Sequence, residues 1–153
     1  MNGGFMSITH GGKKAVSFNW GMTDGKKYIV IVNVKGRGFF YKIDEVSEVL
    51  ISLKREFNSD WFPLANNVKT LGNDTEKPGL GYCLYHQDKN RKNRVSYAQG
   101  ASYLGVVLDE VGIVEWNQVA GKGIQWRINA DDDIKKSHIR SEIFELIKRK
   151  KKK

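Results

Sequence analysis

A mixed α+β fold is predicted by three observations. Between residues 15 and 43, three short alternating or β-branched runs are separated by glycine-bearing turns. Val46, Val49, Leu50, Leu53 and Phe57 then recur at helical spacing. Residues 96 to 128 read helix, short strand, glycine turn, strand, and a charged helix follows. A chain of 153 residues with 40% hydrophobic content suits one domain, or two small modules sharing a core.

The opening stretch, residues 1 to 14, is glycine-rich and polar and reads as a loose lead-in. Ala15 to Trp20 alternates, with Val16, Phe18 and Trp20 on one face. Asp24-Gly25 is a hairpin signal, and Tyr28 to Lys35 is the β-branched run expected of a central strand. After the turn Lys35-Gly36-Arg37-Gly38, Phe39 to Ile43 is the third strand of an antiparallel meander. Phe39, Phe40 and Tyr41 are consecutive, so at least one of them faces away from the core side. Aromatics on an open sheet face flanked by Lys and Arg can stack single-stranded bases.

Asp44 is the expected cap of the helix carrying the Val46 to Phe57 stripe. Ser59-Asp60 with Pro63 predicts a short second helix with Leu64, Val68 and Leu71 on one side and Gly72 as its stop. Leu80 to Tyr85 alternates and reads as a strand, its two glycines counting against a helix. Ser96 and Gln99 have capping-box spacing and open a helix to Val111 whose apolar side is Tyr97, Ala101, Leu104 and Leu108. Gly112 stops it, and Ile113–Trp116 and Ile124–Ile128 flank the turn Ala120 to Gly123. Asp131-Asp132-Asp133 suits the start of a last helix, with Ile139, Ile143, Leu146 and Ile147 along one side.

Residues 96 to 128 resemble the end of a winged helix-turn-helix domain. Leu108, Gly112, Ile113 and Val114 match its helix stop and following strand, and Ala120 to Lys122 sits where a wing tip would be. The resemblance implies a recognition helix at 96 to 111, with Gln99, Ser102 and Tyr103 facing a DNA groove and Lys122 touching the adjacent backbone. The family places two helices before it; residues 61 to 72 supply one, while 80 to 86 read as a strand. The expected division is a meander plus helix over 1–58, a winged-helix-like segment with the C-terminal helix over 59–147, and a basic tail at 148–153, or all of this as one compact unit.

The net charge is +9, and its placement carries the functional expectation. Residues 148 to 153 are all basic; without them 20 Lys and Arg face 17 Asp and Glu. Residues 89 to 94 hold Lys89, Arg91, Lys92 and Arg94 with no acid, and 26 to 42 hold five cations, again with none. Such clusters suit phosphate, and nucleic acid, chiefly duplex DNA, is the expected partner. Phosphate contacts are expected from Lys89, Arg91, Lys92, Arg94, Lys122, Lys148, Arg149 and Lys150. The alternative is a protein–protein module or homodimer with an acidic partner, and a small nuclease ranks third. A solvated helix end explains the tail equally well.

No catalytic residue, cofactor or metal is expected. His10, His86 and His138 are far apart and lack metal-ligand spacing, and no phosphate-cradling glycine loop occurs. One cysteine, Cys83, excludes an internal disulfide and a Cys-based zinc site, and reads as a small core residue. No apolar run approaches the roughly 18–20 residues that span a bilayer, and Met1 to His10 lacks a secretory pattern, so no membrane and a cytoplasmic setting are the expectations.

Overall fold

The computed structural model describes residues 2–23, 25, 27–67, 78–129 and 136–151. Four strands, β1 (Asn2–Ile8), β2 (Ser17–Met22), β3 (Tyr28–Asn33) and β4 (Gly38–Lys42), form an antiparallel sheet in the order β1-β2-β3-β4. The three-stranded meander is therefore present, and β3 is interior as its β-branched sequence requires. The lead-in is not loose. Its residues 2 to 8 supply the edge strand β1, with Phe5 opposite Trp20 and Ser7 opposite Phe18. Period 2 sets the faces: Phe5, Phe18, Trp20, Ile31, Phe39 and Tyr41 are buried on the inner side.

Helix α1 (Ile43–Phe57) follows without a break. Its N-cap is Lys42 rather than Asp44; Asp44 and Glu45 lie in the first turn, where carboxylates complement the helix dipole. The predicted stripe is buried at Val46, Val49, Leu50 and Leu53, and α1 lies against β4 and two later helices.

The second helix expected at 59 to 72 is not found where it is described. Phe62–Pro63 is a short strand, β5, and residues 64 to 67 are irregular; Val68, Leu71 and Gly72 lie outside the described residues. Conversely, 80 to 86 is a helix, α2 (Leu80–His86), and not a strand. Leu80 and Leu84 are buried one turn apart. The glycines have a packing reason: a Cβ on Gly81 would lie 2.6 Å from Asn66 Cβ and 2.7 Å from the Ala65 carbonyl oxygen. Only a bare backbone lets the 64–67 segment cross the helix start, where Gly81 N–H donates to the Leu64 carbonyl at 2.7 Å.

The expected helix over 96 to 111 is two helices, α3 (Arg94–Gln99) and α4 (Ala101–Glu110), meeting at Gly100. The Tyr41 hydroxyl donates to the Tyr97 carbonyl at 2.7 Å, an acceptor that an unbroken helix would give to its own fourth following N–H. Gly100 permits that approach, since a Cβ there would sit 1.9 Å from Tyr41 Oη. Asn93 is the N-cap of α3, and Ser96 and Gln99 form no capping box.

Strands β6 (Val114–Trp116) and β7 (Gln125–Ile128) form the expected hairpin. β5 pairs with β7 through Phe62 and Trp126, giving a second sheet in the order β5-β7-β6. Helix α5 (Lys136–Lys151) packs on α1 and includes much of the basic tail; Asp131 to Asp133 lie outside the described residues. A single buried cluster draws on both sheets and all five helices, from Phe5 through Leu50, Leu84, Tyr97, Leu104 and Trp126 to Leu146.

Candidate nucleic-acid interface

The two internal basic clusters meet in space. In the β3–β4 turn, Asn33 Oδ1 accepts from the N–H groups of Lys35 and Arg37 at 3.0 and 2.9 Å, and Gly36 takes a left-handed φ of 82°. This aims Arg37 at α3. Its guanidinium donates to Ser96 Oγ and, at 3.3 Å, to Gln99 Oε1, and lies 4.9 Å over the Phe39 ring. The residues read as a capping box therefore bind the meander's arginine.

The loop before α3 divides its cations between fold and solvent. Arg91 pairs with the Glu45 carboxylate and stacks 3.8 Å over Tyr97. The Tyr97 hydroxyl donates to the same carboxylate at 2.8 Å. Burial, with the Glu45 hydrogen bond, pushes Tyr97 well above the usual phenol range, so it remains a donor. Arg94 donates to the Tyr85 carbonyl at 2.9 Å and stacks 4.1 Å over the Tyr85 ring. Arg91 and Arg94, both expected to meet phosphate, are thus committed to α1, α2 and α3. Lys89 and Lys92 are exposed.

Between β4 and this loop lies an open cleft of about 310 Å³ that includes Gly38, Phe40, Lys92, Asn93 and Ser96. Phe40 stands at its lip, 59% exposed, while Phe39 and Tyr41 face the core. The expectation that one of the three aromatics points outward is met by Phe40.

The residues of the expected groove-facing set are half-buried. Tyr103 contacts the rings of Phe18 and Phe39 at 5.1 and 5.4 Å, and Gln99 holds Arg37. Ser102 lines a separate cleft of about 240 Å³ with His10 and Lys14. No residue of α4 is exposed, because the helix is packed by α2, β1 and β6. Its half-buried positions are Ser102, Tyr103, Asp109 and Glu110.

Lys122 is exposed in the turn between β6 and β7, which touches the loop after β1: Gly121 N–H donates to the His10 carbonyl at 3.4 Å. Lys148 and Arg149 are exposed near the end of α5, and Lys148 lies 3.7 Å from Glu145. An exposed pair of this kind contributes little and leaves the cation to solvent. The side chain of Lys150 lies outside the described residues.

Cys83 and His86 share a cleft, but burial pushes the Cys83 thiol up to about 11, keeping it protonated. Burial lowers His10 to about 4. Glu115 is paired with Arg127 at 2.7 Å. Among the described residues, no group of three or more His, Cys, Asp or Glu could hold a metal, and no helix is long and apolar enough to cross a membrane. Set against family models, curated proteins and solved structures, the chain matches none.

Proposed function

We propose that the chain binds nucleic acid through its basic surface and performs no chemistry on it. The observation that carries this reading is the Arg37 bridge to Ser96 and Gln99, which sets the basic β3–β4 turn beside the 89–94 loop. Lys35, Lys89 and Lys92 are the exposed phosphate contacts on that side, with Lys122, Lys148 and Arg149 as further cations on the surface. The order α1, α2, split helix, hairpin supports the winged-helix resemblance, because a helix stands at 80–86 where the sequence reads as a strand. The burial of α4 moves the contact from the recognition-type helix to the loop and the start of α3.

The test is affinity for random duplex and single-stranded oligonucleotides across a salt series. The reading requires binding that weakens linearly with the logarithm of salt, and a shallower slope for Lys89→Ala with Lys92→Ala, about 0.9 per lost duplex contact. Affinity no tighter than roughly 10⁻⁴ M for every oligonucleotide overturns it.

A second reading is self-association. Met6 and Ile8 of the edge strand β1 are 71% and 61% exposed, an apolar surface suited to a protein partner. Sedimentation of wild type against Met6→Ser decides it: a dimer that the substitution dissociates supports this reading.

A further inference from the structure

Resting on the nucleic-acid reading, we propose that the ligand is a single strand, lying along the outer face of β4 with bases stacked on Phe40 and Tyr28. The register assigns that face. Tyr28 lies opposite Lys42, Val30 opposite Phe40 and Val32 opposite Gly38. Strand alternation puts the five side chains among them on the side of the sheet opposite Trp20 and Tyr41, where Val30 is buried. Phe40, Tyr28 and Lys42 are exposed there. Phe40 leans over Gly38, whose added Cβ would sit 3.0 Å from Phe40 Cε2. Glycine thus leaves room for the ring to lie along the sheet.

Each end of this track opens into a cleft containing an aromatic and lysine. At one end, Phe40 shares its cleft with Lys92, Asn93 and Ser96. At the other, a cleft of about 290 Å³ is lined by Lys27, Tyr28, Lys42, Asp44 and Arg140. The electrostatics suit an anion. The first 43 residues contain seven Lys or Arg and one acid, Asp24, and none of the four strands contains Asp or Glu. The nearby acids are Asp44 in the second cleft and Glu45, which already holds Arg91 and Tyr97.

Spacing selects a single strand over a duplex. Phe40 and Tyr28 are diagonal cross-strand neighbours whose backbone positions are about 7–8 Å apart, and the Phe40 ring leans over Gly38, on the side away from Tyr28. That backbone spacing is about twice the 3.4 Å rise per nucleotide within a duplex strand. Two successive bases must unstack to reach both rings, and in a duplex they are also paired. A free strand can splay its bases onto aromatic platforms.

The experiment measures affinity of the full chain for a labelled oligo-dT and for a random duplex of equal length, at fixed salt. Wild type is compared with Phe40→Leu, Phe40→Trp, Tyr28→Leu and, for the phosphates, Lys89→Ala with Lys92→Ala; thermal melting checks each fold. The expected result is tighter binding of the single strand. Phe40→Leu and Tyr28→Leu each weaken it by about 5- to 150-fold, whereas Phe40→Trp retains it. Phe40→Leu keeps an apolar side chain at this exposed position, so its melting temperature should stay at the wild-type value. Equal or tighter duplex binding overturns the proposal, as does a Phe40→Leu variant that binds as wild type. If the double lysine variant still loses affinity in those cases, the nucleic-acid reading stands and the sheet track alone has failed. If neither oligonucleotide binds, both fail together. A wild-type dimer that Met6→Ser dissociates, with no oligonucleotide bound, supports self-association through β1 and also overturns the proposal.

Discussion

The imidazole of His10 lies flat on the indole of Trp116, with ring centroids 3.7 Å apart and planes 7° apart. His10 follows β1 and Trp116 ends β6, so the contact fastens the first sheet to the hairpin of the second. The His10 carbonyl and the Gly121 N–H add a backbone link between the same loops.

That contact makes stability depend on acid. Burial lowers His10 to about 4 from its ordinary 6.5, so the unfolded chain takes up the proton first as pH falls. The His10 contribution is therefore fully present above about pH 6.5 and is lost as pH drops towards 4. His10→Phe keeps a flat ring against Trp116 and removes the titration. Its melting temperature should fall less than that of wild type between pH 7 and pH 4.5. Asp109, 3.6 Å away with its carboxyl raised by burial, titrates in both proteins. Parallel curves for the two would show that His10 does not carry the dependence.

Gly100→Ala should destabilise the chain by about 1–3 kcal/mol, the usual cost of overpacking. Its new methyl would meet the Tyr41 hydroxyl. Tyr41→Phe removes the obstructing oxygen, so a double variant losing less than the two single losses combined would mark direct coupling. Denaturant melts of the four proteins measure it. Full additivity would place the cost elsewhere.

Arg91→Ala should cost stability as well as any affinity. It leaves the Glu45 carboxylate with one donor fewer and uncovers the Tyr97 ring, for a loss of roughly 1–3 kcal/mol. Lys92→Ala, at an exposed position, should stay within about 0.5 kcal/mol of wild type. Urea midpoints for both variants test this division, and equal midpoints would contradict it.

Leu108→Ala removes a buried side chain from the helix enclosed between the sheets, and should cost about 2–5 kcal/mol. Removing residues 148 to 153 should leave the melting temperature nearly unchanged, since Lys148 and Arg149 are exposed, while the salt slope of binding becomes shallower. A slope equal to that of the full chain would make the tail a bystander.

Hydrophobic periodicity made the meander, α1 and the β6–β7 hairpin legible, because each buries one face and repeats its pattern. Residues 2 to 8 escaped notice because Gly3 and Gly4 weaken the strand signal, and pairing with β2 supplies what propensity lacks. Residues 80 to 86 misled for the opposite reason. Alternation over so short a run fits strand and helix alike, and the chain crossing at 64–67 explains Gly81. The charge clusters were visible, but their allocation was not. Glu45 and Tyr85, distant in sequence from Arg91 or on another helix from Arg94, claim two of the four cations in the loop. Phe40 was constrained by parity alone, since three consecutive aromatics on a strand cannot share a face.

The connectivity of the two sheets bears on how the chain is made. The first sheet is assembled wholly from successive hairpins, whereas the second must wait until Phe62 finds Trp126. Local contacts form quickly, and closing a long loop is slower. During synthesis the N-terminal sheet can therefore be complete before the chain has supplied Tyr97 and Tyr103, which cover Phe18, Phe39 and Tyr41. A ribosome stalled ahead of residue 94 would carry a finished sheet with those aromatics open to other nascent chains, an aggregation hazard that later translation removes.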